Sequence, residues 1–283
     1  MFIYKALLFL YLYTVMLSVS SNSKNHTPIY FLCVVLYLRI NKIICCQISD
    51  KNNLKINLTY SKNYVLDNGN KQRSIKQMET IQQIHVSKMT GKLEGFKAIS
   101  TNTTSNAFCL KMFNAKKDTI CKNCYSHIML NSYRKNMVAC LERNSKLLSE
   151  SVLHTQQLPT IMELYFRFSA HGEIINLNHL TNLFNICDKN ELTTFALWTK
   201  RKDLVKKIMK LRDKPKNLIL IYSNPNKSAI LYNAPEYFDK TFNNVLENEN
   251  VEEQNCTGQK CKDCLACYKF NDTNVIVEKV KKY

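Results

Sequence analysis

The chain has 283 residues, of which 45% are hydrophobic, and a formal charge of +18, so it is long enough to bury one large core or two small ones. The excess of Lys is diffuse. No dense Lys/Arg block with interleaved aromatics appears, so the charge fits attraction to a nucleic acid or an anionic substrate without singling either out. With five Gly and five Pro turn signals are few, and because Asn, Lys, Ile and Tyr are over-used, single Asn and Lys residues carry little weight.

Lys5, the apolar stretch over 6–19 and the small residues Ser18, Ser20 and Ser21 resemble a secretory signal peptide. A second apolar stretch over 29–38 is shorter than the roughly 20 residues a spanning helix requires. Two explanations are open: a targeting segment that would make the protein membrane-associated or exported, or an upstream extension with Met78 or Met89 as the true start. The second is preferred, because export would expose thiol-rich motifs to oxidation; it implies a cytoplasmic protein. Residues 50–77 are polar and without period, which reads as a linker. The expected organisation is an N-terminal extension over 1–77, a core domain over 78–250 and a cysteine-rich segment over 251–283.

Within the core, 96–100 reads as a short strand. Tyr133, Met137, Cys140, Leu141 and Leu148 recur at helical spacing and predict a helix over 130–148. A strand over 164–168 precedes a helix carrying Leu177, Leu180, Leu183, Phe184 and Cys187, with Asn176 or Asn178 as its N-cap. A strand over 195–198, a helix over 204–211 and a strand over 218–222 follow. Such alternation predicts an α/β fold with a parallel sheet or a partial (β/α) barrel.

Each expected strand hands over to polar residues at its carboxyl end: 101–106, Ser169 to Glu173, Thr199 to Arg201, and Ser223 with Asn224. In parallel α/β folds that rim is where ligands bind. The layout therefore puts Cys109, Cys121, Cys124, His171, Glu173 and Lys200 around one mouth. Solvated loops give polar strand exits too, but here one exit also carries the cysteines.

Twelve cysteines fit either disulfides or metal ligands, and the spacing separates the two. Cys256, Cys261, Cys264 and Cys267 form C-x4-C-x2-C-x2-C, whose short intervals let successive thiolates turn toward one cluster. Structural zinc normally takes two short knuckles separated by a loop, so one tight run suits iron-sulfur better, with a 4Fe-4S cluster expected and zinc as the alternative. Cys109, Cys121 and Cys124 form a second group. Three thiolates would leave one iron of a four-iron cluster open to a substrate or to S-adenosylmethionine, by analogy with radical enzymes that use that cofactor. Two other readings stay open: a zinc knuckle at Cys121 and Cys124, or a single site served by all seven cysteines. Cys140 and Cys187 are expected in the core, while Cys33, Cys45 and Cys46 belong to the N-terminal extension. His127 trails Cys124 by three residues and is a candidate ligand; His85, His154 and His179 are isolated and read as structural or exposed.

The order Cys121-Lys122-Asn123-Cys124-Tyr125, then Arg167-Phe168-Ser169-Ala170-His171-Gly172-Glu173, then Trp198-Thr199-Lys200, then Cys261-x2-Cys264-x2-Cys267-Tyr268 resembles the phage gene product 88 family over roughly 84–283. The resemblance implies a barrel-type protein with a pattern like that of radical S-adenosylmethionine enzymes, in the host cytoplasm. It implies Cys121 and Cys124 as ligands, with Arg167, Ser169, His171, Glu173 and Lys200 on the rim. The eleven residues between Cys109 and Cys121 and the Glu, not Asp, at 173 depart from the family pattern. By their own chemistry, Arg167 and Lys200 suit a carboxylate or phosphate, and His171 with Glu173 suits proton handling or ligation; a structural ion pair between Arg167 and Glu173 is the plain alternative. The two functional expectations are an iron-sulfur protein with redox or radical chemistry on an unknown substrate, and a zinc-stabilised nucleic-acid-binding module without catalysis.

Overall fold

The computed structural model describes residues 83–249 and 251–280, all within the compact unit Gln77–Tyr283. The expectations for the signal-like segment and the linker lie outside them. In chain order the strands are β1 (Ser87–Lys88), β2 (Lys97–Ile99), β3 (Tyr165–Phe168), β4 (Thr194–Thr199), β5 (Leu218–Lys227), β6 (Lys240–Val245) and β7 (Val275–Lys279). The helices are α1 (Ala107–Phe113), α2 (Tyr125–Asn131), α3 (Val138–Glu150), α4 (Leu177–Lys189), α5 (Lys202–Met209) and the single turn α6 (Cys261–Cys264).

The strands form one sheet in the order β1 to β7. Only β1 runs antiparallel, as a hairpin on β2; every later pair is parallel. Strand order therefore equals chain order, as successive right-handed crossovers build it. Among the described residues no ladder joins β1 to β7, but Lys92, between β1 and β2, ion-pairs with Glu278 of β7. Cys256 extends the β7 edge by a parallel bridge to Glu278. The fold is thus α/β, a seven-stranded, mostly parallel sheet with flanking helices. Ile84 belongs to the core, and removing everything ahead of Met89 would also remove β1.

Side chains alternate along the strands, and both faces are apolar, as expected for parallel strands covered on two sides. Phe166, Phe168, Phe195, Leu197, Leu218 and Leu220 meet Leu148 of α3, Leu180, Leu183 and Phe184 of α4, and Leu204, Val205 and Ile208 of α5. Ala196, Trp198, Ile219 and Ile221 face the other way and are covered by Tyr268 with Leu265, Cys261 and Cys267 packed beside it. The cysteine-rich segment therefore packs on the sheet face that the helices leave free. Tyr268 is only 1% exposed, and burying a side chain of that size contributes about 1.5–3 kcal/mol. Lys240 anchors the same segment. It is buried in β6, and its Nζ donates to Ala266 O (2.9 Å), Asn271 Oδ1 (2.6 Å) and Thr273 O (2.8 Å).

Several expectations change in detail. The helix expected over 130–148 is two helices, because the chain turns at Ser132 (φ −117°, ψ −99°) and passes through a short 3-10 turn before α3. Tyr133 is consequently exposed, and Cys140 is half-buried, whereas Cys187 is in the core. Asn176 caps α4 by accepting from His179 N. β5 runs past Tyr222, and its register to β6 shifts between Ser223 and Lys227, around Pro225, which has no N–H for a regular ladder. Among the described residues no helix is long and apolar enough to cross a membrane.

His179 is buried on α4, with Nδ1 accepting from Ile175 N at 3.2 Å. Burial pushes its pKa down to about 3. A lowered folded-state pKa means the neutral imidazole's contribution is complete above the ordinary value near 6.5 and is lost as pH falls toward 3. His179→Asn, which keeps an acceptor, should lessen the pH dependence of unfolding free energy by one proton between pH 6 and 4.5, read from denaturant titrations at each pH. An unchanged slope would refute the assignment.

Candidate metal centre

The carboxyl ends of the strands surround a cavity of about 880 Å³. It is lined by Cys109, Cys121 and Cys124 from the connection after β2, by Ser169, His171 and Glu173 after β3, by Trp198 and Lys200 at the end of β4, and by Cys256, Cys261 and Cys267. Arg167 of β3 lines it as well. Cys264, the remaining member of the C-terminal run, is exposed, and all nine described cysteines are free thiols.

Three connections are held together around Glu173. Its buried carboxylate accepts from Ile174 N (2.9 Å), Thr199 Oγ1 (2.6 Å) and Lys200 N (2.8 Å), and its carbonyl accepts from Asn106 Nδ2 (2.9 Å). Asn106 in turn caps α1, its Oδ1 accepting from Phe108 N and Cys109 N. One residue thus ties the exits of β3 and β4 to the helix that carries Cys109. The carboxylate is not paired with Arg167, whose guanidinium lies 4.0 Å over the Trp198 ring. Nor does it meet His171, whose Nδ1 is paired with Ser126 Oγ at 2.9 Å.

The first cysteine group is set by a cap and a turn. Cys109 sits in the first turn of α1, while Cys121 lies within the 3-10 turn Ile120–Asn123 and Cys124 caps it, with Cys124 N bonded to Cys121 O at 3.2 Å. A bridge from Thr119 to Asn226 and an ion pair from Asp118 to Lys227 fasten that turn to β5. Despite the long interval, Cys109 is in electrostatic contact with Cys121 and Cys124, and all three feel Lys200. Burial, then Glu173 and the neighbouring thiols, raises the pKa of Cys109; burial raises that of Cys121 against the opposing charge of Lys200. Lys200 Nζ donates to Ser223 Oγ at 3.0 Å.

The second group has its own cations. Lys92 Nζ is 3.8 Å from Cys256 Sγ, and Arg167 acts on Cys261 and Cys267. Burial pushes Cys267 up to about 12, with Arg167 opposing it. Leu265, between Cys264 and Cys267, holds a positive φ of 55°, a conformation costing about 1–2 kcal/mol for a residue with a Cβ, so its surroundings impose the bend. As the side chains stand, no group of three or more His, Cys, Asp or Glu among the described residues is closed tightly enough to hold a single ion.

Sequence reasoning missed Ser126, Tyr125 and Trp198 as parts of the site. Ser126 fixes the His171 ring, and Tyr125 donates its hydroxyl to Ala170 O at 2.6 Å. Burial, with the charges of Arg167 and Arg134, lowers His171 to about 4, so its imidazole is neutral near pH 7. His127 is stacked on Phe113, centroids 3.9 Å apart, and also lines the cavity; His85 and His154 are exposed. No family model, curated protein or solved structure matches the chain.

Gly172 sits where the β3 exit crosses the β2 exit. Its φ is +82°, and a Cβ there would lie 2.1 Å from Thr101 Oγ1 and 2.6 Å from Thr101 O. Gly172→Ala should therefore lower stability by about 3 kcal/mol or prevent folding. A denaturation midpoint equal to that of the parent chain would show that the two exits are not in this contact.

Proposed function

We propose that the chain is an iron-sulfur protein whose two cysteine groups, Cys109/Cys121/Cys124 and Cys256/Cys261/Cys264/Cys267, each hold a cluster beside a common substrate cavity. The observation that carries this reading is that six of the seven cysteines line one cavity while falling into two electrostatic groups, each with its own basic side chains. The donor chemistry suits a cluster: free thiols, which would draw together around it from where they stand, with Lys200, Lys92 and Arg167 placed to offset the negative charge that thiolate ligation brings. The resemblance to the phage gene product 88 family points the same way, as does the C-x4-C-x2-C-x2-C spacing.

A bound cluster supplies one-electron redox chemistry, and a group with three protein thiolates has a coordination position open to a substrate or to S-adenosylmethionine. The chain's own residues then have distinct tasks. Lys200 stabilises the first thiolate group and is steadied by Ser223. His171, neutral and oriented by Ser126, can carry a proton at its other ring nitrogen. Glu173 acts as a positioning residue, since its oxygens are already engaged by Ile174, Thr199 and Lys200.

Anaerobic purification should yield a brown protein with iron and acid-labile sulfide. Cys121→Ser and Cys264→Ser should each lower the iron content without abolishing it, because the two groups bind independently. Colourless protein with stoichiometric zinc would support the zinc-stabilised reading instead, and iron content unchanged in both variants would discard these ligands.

A further inference from the structure

The basic groups that flank the thiols also face the open cavity, and part of their hydrogen-bonding capacity is unused. Among the described residues six buried side-chain polar atoms have no hydrogen-bond partner, and three of them, Arg167 Nε, Trp198 Nε1 and the Tyr268 hydroxyl, belong to neighbouring residues and can donate. Those three residues form one contact group. Arg167 lies 4.0 Å above the Trp198 ring, and the Trp198 and Tyr268 rings are 5.6 Å apart. Arg167 and Tyr268 are close enough for a side-chain interaction between guanidinium and hydroxyl, but Arg167 Nε and Trp198 Nε1 are left without an acceptor. A buried donor left without an acceptor is costly, so two of them on the cavity wall mark a place built for an acceptor the chain does not supply.

The charges lead to the same conclusion. Neither Arg167 nor Lys200 has a carboxylate within ion-pairing distance among the described residues. The two acidic residues on the cavity are already engaged, Glu173 by Ile174, Thr199 and Lys200 N, and Glu278 by Lys92. Arg167 is stacked on Trp198 with Nε unpaired, and a guanidinium is the group suited to gripping a carboxylate or a phosphate. The walls nearby include Met89, Phe108, Met112, Phe113, Met129 and Met137, which suit an apolar body.

We propose that the cavity binds an organic oxyanion, its carboxylate or phosphate held by Arg167 with Lys200 and its apolar part against the Met and Phe walls. This inference rests on the preceding functional reading only in calling the anion the substrate; the binding site itself stands on Arg167, Trp198 and Lys200, which line the cavity.

Trp198 is the only tryptophan of the chain, so its emission reports directly on the group stacked over it. The purified full-length chain, its iron content determined, is titrated at constant ionic strength with sodium benzoate, sodium phosphate and sodium chloride, by fluorescence and by calorimetry. The expected result is a saturable response to benzoate or to phosphate and none to chloride; whichever anion responds identifies the group recognised. Arg167→Lys keeps the charge but loses the fork and should weaken binding by about tenfold, and Lys200→Gln should weaken it as well. Absence of a saturable response to both oxyanions, or an unchanged affinity in Arg167→Lys, overturns the site. Iron-bearing protein that does not respond sinks the anion site alone, whereas iron-free protein that saturates sinks the cluster reading alone.

Discussion

The geometry of the site depends on the hydrogen bonds that converge on Glu173. Parallel strands end side by side, but nothing in a ladder fixes the loops beyond it. Here a buried carboxylate accepts from the Ile174 and Lys200 backbones and from the Thr199 hydroxyl, while the Glu173 carbonyl takes the amide of Asn106, the residue that caps the helix bearing Cys109. Three chain segments far apart in sequence are thereby held in register at one rim. Charge-assisted hydrogen bonds of this kind, shielded from water, are among the stronger ones available to a protein.

For the C-terminal segment the corresponding anchor is Lys240. A buried ammonium bonded to two carbonyls and an amide oxygen draws the C-terminal segment onto the sheet face that no helix covers, and Tyr268 fills the space between Phe96, Tyr165 and Trp198. One acid and one base thus carry the two cysteine groups to the same cavity. The thiols of Cys109, Cys121, Cys261 and Cys267, raised by burial, lie beside basic side chains that favour the thiolate form a metal requires.

Much of this was legible in the sequence. The strands β2 to β5, the helices α4 and α5 and the cap at Asn176 follow from apolar spacing and from one well-placed Asn, and the polar exits of those strands do line one cavity. β6 was not legible, because its residues Lys240, Thr241, Asn243 and Asn244 are polar yet buried, satisfied by partners distant in sequence. The break at Ser132 was hidden because Tyr133 and Met137 happen to continue the helical spacing of α3. Arg167 and Glu173 carry opposite charges near each other in sequence, which suggests a pair. Strand alternation instead turns Arg167 onto Trp198 and leaves Glu173 to the backbone beyond the strand.

The central claim is that closely spaced thiolates gather iron at two places around one cavity. Diffraction from anaerobically grown crystals, recorded on either side of the iron absorption edge, tests it most directly. The account predicts anomalous peaks bounded by Cys109, Cys121 and Cys124 and by Cys256, Cys261, Cys264 and Cys267. Well-ordered density for these side chains with no iron signal beside them, or with their sulfurs joined in disulfides, would contradict it.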